Sequence, residues 1–437
     1  MGGRPRTLTL TIDEILPYVG ECERFQKLLV AIVSLLFFIV GYQTVFVFFT
    51  TMIPTWKCLN ATHCVLNKTY DSDDQTRCKI PRSSWEYTEG KDFSMATQWD
   101  IDCDRSYLLE ITSAVFFIGW AIGSVLYGWL GDRYGRKVLI YPSTLAILAL
   151  SSLSAVMPNI YLVMLCRFTM GVIFPGAQTI PHILLTEFVG SKYRPVACML
   201  PFFTVHLGYC TLAVQAYYLK NWKWLSIVCS APYVWTLLFF FVTPRSVRWL
   251  QAQARNDEAI DVMMKVAKWN KKQLPDNTSF VITSAMQRAS KSTSRLFYSR
   301  KLTFQTLVQG ALWFSSALSY YGLQLAADDL ESSKYKDFAY LGLVAIPGVM
   351  VIMVAADKVG RKPAILSTLL LAGCCSLGVS FVPAGDEKLK TLRMVIGVIG
   401  KCMATGALEG LYVWSAEIYP TAVRSKGTGF AQVNIFH

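Results

Sequence analysis

Three charged residues stand inside long apolar segments of the sequence: Arg167, Lys401 and Glu409. Because a charge in hydrocarbon is costly, such residues are candidates for binding an ion or carrying a proton. Lys401 and Glu409 are eight positions apart, about 80° round one helix. Glu409 could neutralise a cation, and Arg167 and Lys401 could contact a ligand. The alternative is a structural role, as ion pairs or as chains that extend toward the membrane surface.

Adjacent tyrosines, Tyr320 and Tyr321, supply a second kind of chemistry. Aromatic faces attract organic cations through the ring quadrupole and stack on aromatic anions. Neighbours on a helix point about 100° apart, so we expect one tyrosine to line a cavity and the other to pack. We expect Phe202 to lie in the core or face lipid, and His206 to make a helix contact rather than relay protons.

Catalytic constellations do not accompany these residues. The sequence contains no nucleotide-binding loop, no metal-ligand cluster and no nucleophile with a matching base. We therefore expect no catalytic residues, no metal, no cofactor and no enzymatic activity.

These candidate residues lie in apolar segments that must position them. Of all residues, 53% are hydrophobic and only 16% are charged, against about 25% charged in soluble proteins, which indicates a membrane protein. A bilayer core needs about 20 apolar residues per helix. Ten spanning helices are predicted, at 25–53, 107–130, 138–156, 161–188, 196–220, 222–242, 302–325, 338–356, 364–382 and 392–415. An eleventh begins near Gly427, too close to His437 to cross, so we expect a chain shortened in helix 11.

The charge distribution predicts the orientation in the membrane. The net charge is +13; residues 245–301 carry twelve basic and four acidic side chains, whereas residues 54–106 carry seven basic and nine acidic ones. Cytosolic loops of membrane proteins are enriched in Lys and Arg, which accounts for the basic chain better than nucleic-acid binding does. Residues 1–26 lack the features of a cleavable signal. We expect a multi-pass protein of the plasma membrane with a cytosolic N-terminus and no nucleic-acid partner.

The acidic loop 54–106 has the composition of an extracellular segment. It holds the glycosylation sequons at Asn60 and Asn67, whereas a third, at Asn277, lies in the basic segment and should be unused. Together with four cysteines, the sequons predict an oxidising environment and one or two disulfides. Any of three pairings is open for Cys58, Cys64, Cys78 and Cys103.

A repeat divides the chain into two halves. The run GDRYGRK at 131–137 returns as DKVGRK at 357–362, and a Glu and an Arg seven apart return 230 positions later. Parallel repeats of this kind occur in transporters that rock around a central site. We expect a charge network that closes the cytosolic side and breaks when that side opens; the alternative is that these charges only set topology. Its members are Asp132, Arg136, Glu187 and Arg194, with their repeats Asp357, Arg361, Glu417 and Arg424.

These motifs resemble those of a known family. The runs at 131–137 and 357–362 resemble the paired loop signature of the major facilitator superfamily. The stretch IDEILPYVGE at 12–21, the cysteine-bearing loop ending in QWDIDC at 98–103, and AEIYPTAVR at 416–424 resemble its organic cation/anion/carnitine transporters. The resemblance implies an all-α membrane fold of two six-helix pseudo-repeats, and a tyrosine pair lining the substrate cavity at Tyr320 and Tyr321.

The domain boundaries follow from this plan. Residues 1–243 would form an N-terminal bundle of helices 1–6, residues 244–301 a cytosolic linker with interfacial helices, and residues 302–437 a C-terminal bundle of helices 7–10 and the start of 11.

Departures from the family pattern leave the substrate charge open. Arg245 stands where the family has an acid after helix 6. Ala345 and Val349 flank Pro347 where family members often carry charges, and the charge-sorting position of helix 11 falls near Phe436. The resemblance implies transport of small organic ions, with cations or zwitterions slightly favoured by Glu409 and the tyrosines, and with a possible co- or counter-transported ion. The alternatives are a non-transporting regulatory or receptor-like protein and a sugar porter.

Overall fold

The apolar segments fold into long α-helices in a computed structural model of the chain. The structure describes residues 8–10, 12–60, 64–71, 74–273, 278–280, 300–326, 334–382, 387–419 and 424–433. The expectations for Asn277 and Phe436 lie outside the described residues.

The N-terminal half and the linker contain twelve helices among the described residues. These are α1 (Ile12–Val19), α2 (Arg24–Thr50), α3 (Met95–Trp99), α4 (Tyr107–Tyr134), α5 (Arg136–Ser154), α6 (Ile160–Ile173), α7 (Thr179–Phe188), α8 (Arg194–Leu219), α9 (Trp222–Ser230), α10 (Tyr233–Leu237), α11 (Val247–Ala252) and α12 (Asn256–Trp269). The rest of the described chain forms α13 (Arg300–Ala326), α14 (Lys334–Lys358), α15 (Arg361–Phe381), α16 (Glu387–Ile418) and α17 (Arg424–Val433).

Two predicted helices are broken, and the prediction of continuous helices there was wrong. A 3₁₀ turn at Phe174–Gly176 separates α6 from α7, and Pro232 lies between α9 and α10. Proline removes a backbone donor and clashes with the preceding turn, which explains both breaks. The eleventh helix begins at Arg424, three residues before the predicted start.

Nine helical stretches of the described chain are long and apolar enough to cross a membrane. Helix α13 is not among them although it has 27 residues, because polar side chains such as Gln305, Gln309 and Ser319 recur along its length. The chain is a multi-pass membrane protein of the all-α class.

The two halves pack internally and then against each other. In the N-terminal half α2 packs on α8 and α4 on α6, while in the C-terminal half α16 packs on α13, α14 and α15. The halves meet where α8 contacts α14 and α4 contacts α17. Glycine allows these close approaches: a Cβ on Gly171 of α6 would lie 2.1 Å from the carbonyl oxygen of Phe116, and one on Gly429 of α17 would lie 2.2 Å from that of Ser124.

The loop between α2 and α4 carries a small antiparallel sheet of three strands: β2 (Trp56–Cys58) lies between β3 (Thr69–Tyr70) and β4 (Trp85–Tyr87). Disulfides join Cys58 to Cys64 and Cys78 to Cys103, one of the three pairings that the sequence left open. We call the end of the molecule that carries this loop the loop face.

An ion pair braces the loop. Nε of Arg77 lies 2.7 Å from Oδ2 of Asp102, and both side chains are largely buried. Burial raises the pKa of Asp102. Hydrogen bonds from Arg77 and from the backbone of Cys103 lower it by more than burial raises it, so the pKa lies below the ordinary 3.8. The charged form of Asp102 therefore stabilises the folded loop.

Helices α11 and α12 lie at the opposite end, which we call the linker face. There α12 packs against α1, and strand β1 (Leu8–Leu10) pairs in parallel with β5 (Thr278–Phe280). Asn270 connects the layers, since its side chain accepts from the backbone N–H of Phe25 and donates to the carbonyl oxygen of Val19. The start of the chain and the linker thus form one cap.

Candidate functional site

A small cavity lies between the two halves, with a volume of about 60 Å³. The N-terminal half contributes side chains from α2, α4 and α8 and from the residue before α7; the C-terminal half contributes side chains from α13 and α16. Its lining is aromatic with few polar groups: Val40, Thr44, Val45, Phe48, Phe117, Trp120, Gln178, Phe202, Val205, His206, Tyr209, Tyr320, Tyr321, Leu408, Glu409 and Tyr412.

Glu409 and His206 form a buried contact across this cavity. Oε1 of Glu409 lies 2.6 Å from Nε2 of His206, so the pair links α16 to α8. The second carboxylate oxygen of Glu409 and Nδ1 of His206 have no hydrogen-bond partner among the described residues. Buried polar atoms without partners are costly, so the pair can accept a further group such as a proton, a water molecule or a ligand.

Tyrosines surround the pair. Tyr320 and Tyr321 both line the cavity, whereas helix geometry had predicted that only one would do so. Their rings meet at 86° with centroids 5.2 Å apart. Lys401 lies behind Tyr320 rather than in the lining. Its Nζ is 3.2 Å from the centroid of the Tyr320 ring and donates to the Tyr320 carbonyl oxygen at 3.2 Å.

Arg167 lies elsewhere in the N-terminal half. Its guanidinium donates to the carbonyl oxygen of Gln43 at 3.4 Å and lies 4.5 Å from the centroid of the Phe116 ring. Arg167 is not part of the cavity lining. Its neighbours give it a structural position between α2, α4 and α6.

Several lining residues were not predicted from the sequence. Tyr209 and Tyr412 each follow a charged or titratable cavity residue by three positions, His206 and Glu409 respectively. Residues three apart share a helix face, so that spacing could have identified both tyrosines. Phe202, expected in the core or against lipid, also lines the cavity.

At the linker face, the first copy of the repeated motif forms a buried charge cluster. Arg136 lies 3.4 Å from Asp132 and 3.4 Å from Glu187. Ser246, just after the apolar helices, donates to Glu187. The cluster therefore ties α4, α5, α7 and the start of α11 together.

The second copy joins the two halves. Arg361 donates twice to Glu417, at 3.0 and 3.3 Å, and Arg194 of the other half lies 4.0 Å from Glu417. The backbone N–H of Lys426 donates to Asp132 at 3.4 Å, which makes a second link between halves.

Two predicted members of the network are not placed in it. Asp357 is exposed at the end of α14 and has no ion pair within the part of the chain that the structure describes. The side chain of Arg424 lies outside the described residues.

Aromatic contacts join the halves near the loop face. The ring of Phe49 on α2 stacks on Tyr335 of α14 at 5.7 Å and lies 5.0 Å from Phe338. Tyr217 at the end of α8 also meets Tyr335, at 5.7 Å. The cavity is thus closed by rings on one side and by charge clusters on the other.

The fold and this central site define a membrane protein of two helical halves that meet around a cavity, and comparison with known proteins supplies the family. The chain belongs to the sugar (and other) transporter family, which it matches over residues 28–436. The expected major-facilitator fold is confirmed.

Curated relatives belong to solute carrier family 22, which confirms the stated resemblance. Member 13 from Homo sapiens is 32% identical over 80% of this chain and 63% of the relative. Member 1 from Oryctolagus cuniculus is 32% identical over 78% of this chain and 62% of the relative. Member 1 from Bos taurus is 28% identical over 96% of this chain and 82% of the relative. The chain thus spans less than two thirds of the first two relatives.

Solved structures share the fold. A proton:xylose symporter bound to 6-bromo-6-deoxy-D-glucose superposes with a TM-score of 0.65 at 18% identity, covering 97% of this chain and 86% of that one. A partially occluded inward-open xylose transporter from E. coli superposes with a TM-score of 0.61 at 17% identity, covering 94% of this chain and 92% of that one.

Proposed function

We propose that this chain carries small organic ions across the membrane by alternating access. The supporting observation is a carboxylate, Glu409, with a free oxygen in an aromatic cavity where two repeat halves meet. Central cavities at a repeat interface are where such proteins bind substrate. The solute carrier relatives favour the same activity.

The cavity is too small for a substrate as it stands. Ligand sites occupy about 300–1,000 Å³, whereas this one holds about 60 Å³. The halves must therefore separate at one face to admit an organic ion. The structure then corresponds to an occluded stage between the two open ones.

A cation or zwitterion fits the lining better than an anion. Glu409 supplies negative charge, and Tyr209, Tyr320, Tyr321 and Tyr412 supply aromatic faces, which attract cations most strongly when water is excluded. In this structure His206 contacts Glu409. An entering cation would replace His206 at the carboxylate, so substrate and the imidazole compete for one group. Tyr320 would form the far wall, with Lys401 behind it.

The charge clusters would act as the gate of the linker face. Opening that face requires Arg194 to leave Glu417 and Lys426 to leave Asp132, because both contacts cross between the halves. Arg136–Glu187 and Arg361–Glu417 lie within their own halves, so they would hold each half rigid while it rocks.

The orientation follows from charge and cysteine chemistry. We place the loop face outside the plasma membrane, with sugars on Asn60 and Asn67, and the N-terminus and linker face in the cytosol. The disulfides of the loop suit an oxidising exterior.

The test is uptake by cells expressing the chain, with surface protein quantified by labelling. The panel contains labelled organic cations, organic anions, carnitine-like zwitterions and a hexose. Saturable uptake of one ionic class supports the proposal and identifies the substrate charge. Uptake of the hexose alone would indicate a sugar porter. No uptake by protein shown to be at the surface would favour the non-transporting alternative.

A further inference from the structure

A large cavity lies at the linker face, separate from the central one. Its volume is about 860 Å³, and it opens between α12 and the ends of α2, α5 and α10. This is far more space than the central cavity offers, and near the upper end of the range for ligand sites, about 300–1,000 Å³.

The lining of this cavity is basic. Four cations, Lys137, Arg245, Lys265 and Lys268, face two carboxylates, Glu258 and Asp261. Glu258 is shared, since it pairs with Arg245 at 3.0 Å and also with Arg255 outside the lining. The surplus charge favours an anionic occupant.

Three of these cations, Lys137, Lys265 and Lys268, have no acidic partner within the described residues. Lys137 instead feels the like charges of Arg245 and Lys265. The ammonium of Lys137 lies 4.5 Å from the centroid of the Phe240 ring. Like charges gathered in a cavity repel one another unless an anion lies between them.

Apolar side chains continue the lining toward the membrane. Phe25, Val242 and Val266 form part of the wall, while Phe241 and Trp269 are 87% and 50% exposed. Phe241 follows the last turn of a membrane-spanning stretch, so it lies at the level where acyl chains meet headgroups. Trp is enriched at that level.

We propose that this cavity binds an anionic phospholipid of the cytosolic leaflet. Its headgroup phosphates lie among Lys137, Arg245 and Lys265, and its acyl chains run past Phe241. Polybasic pockets on the cytosolic side of membrane proteins hold such headgroups. Arg245, which stands where the family has an acid, supplies one of the cations. The inference rests on the proposed orientation but not on which substrate is transported.

The test is native mass spectrometry of the purified full chain, with phosphatidylinositol bisphosphate as probe and phosphatidylcholine as reference. The variant K137Q/K265Q removes two cations of the lining. The matched control, K192Q/K271Q, removes two exposed lysines of the same face that do not line the cavity. Near an anionic surface each basic residue is worth about fivefold, so the lining variant, which lacks two, should bind the anionic lipid about 25-fold more weakly.

The control should bind like the unmodified chain, and the charge-conserving K137R/K265R should retain binding, which excludes misfolding as the cause. Equal losses in both glutamine variants would overturn the proposal in favour of a diffuse basic face. Binding no stronger than that of phosphatidylcholine would overturn it as well. Displacement of the lipid by equimolar inositol trisphosphate would show a soluble-anion site instead. Because no transport is measured, these outcomes are independent of the uptake assay.

Discussion

Replacing Glu409 with glutamine tests the proposed substrate site most directly. Glutamine has almost the same shape and still accepts a hydrogen bond from His206, so the contact between α8 and α16 survives. Only the negative charge is lost. The substitution therefore separates a charge that recognises substrate from a group that holds two helices together.

The size of the effect follows from burial. A unit charge at about 4 Å from a cation contributes about 4 kcal/mol at an effective dielectric constant of about 20. Displacing His206 opposes this gain, so we take the low end of the range of about 2–5 kcal/mol measured when a buried charge loses its partner. About 2 kcal/mol corresponds to a fall of about thirtyfold in Vmax/KM for a cationic substrate.

The assay is concentration-dependent uptake normalised to surface protein, with the exposed Glu110→Gln on α4 as the matched control. The control should leave uptake unchanged. Unchanged Vmax/KM for every substrate in E409Q would remove Glu409 from the site. A gain in anion uptake would keep Glu409 in the site but refute the preference for cations.

Three further predictions concern other parts of the molecule. Replacing Arg194 with Gln removes a partly exposed ion pair to Glu417 that joins the two halves. Such pairs contribute at most about 1 kcal/mol, so a cysteine placed in the central cavity should be labelled up to about fivefold faster by a cytosolic reagent. An unchanged labelling rate would argue against a gating role for Arg194. Because the pKa of Asp102 in the folded loop lies below 3.8, the charged side chain stabilises the loop fully above pH 3.8, and this stabilisation is lost as the pH falls through the pKa of the folded form. Cleavage of the loop by an acid-active protease should therefore increase below pH 3.8. In D102N the cleavage rate should no longer depend on pH in this range. Replacing Gly171 with Leu forces a Cβ to within 2.1 Å of the α4 backbone, so surface expression should fall sharply, as overpacking costs about 1–3 kcal/mol or more; normal expression would contradict the tight contact.

The helices were predictable because each depends on local composition. Apolar runs of about 20 residues must form helices in lipid, where every backbone group needs a partner. Breaks within helices were harder to predict. Pro175 and Pro232 interrupt the helices predicted at 161–188 and 222–242, yet Pro201 lies inside α8, which continues through it. Whether a proline ends a helix depends on neighbours that satisfy the freed carbonyl.

Six of the eight predicted members of the charge network lie in the two clusters, but how they pair was not predictable. The repeat identified equivalent charges in each half, and Arg136–Glu187 and Arg361–Glu417 are indeed equivalent pairs. The link from Arg194 to Glu417 crosses between halves. No repeat within one half specifies a contact with the other.

By itself, the sequence determined the class of protein: the membrane spans, the two-fold repeat, the acidic cysteine-bearing loop and the basic linker all follow from residue types and short-range spacing. Only the tertiary structure decided which polar groups share the centre. It placed Glu409 against His206, 203 positions away, and left Arg167 outside. All three are buried polar residues in apolar helices, and only the rotation and packing of each helix decide which of them faces the cavity.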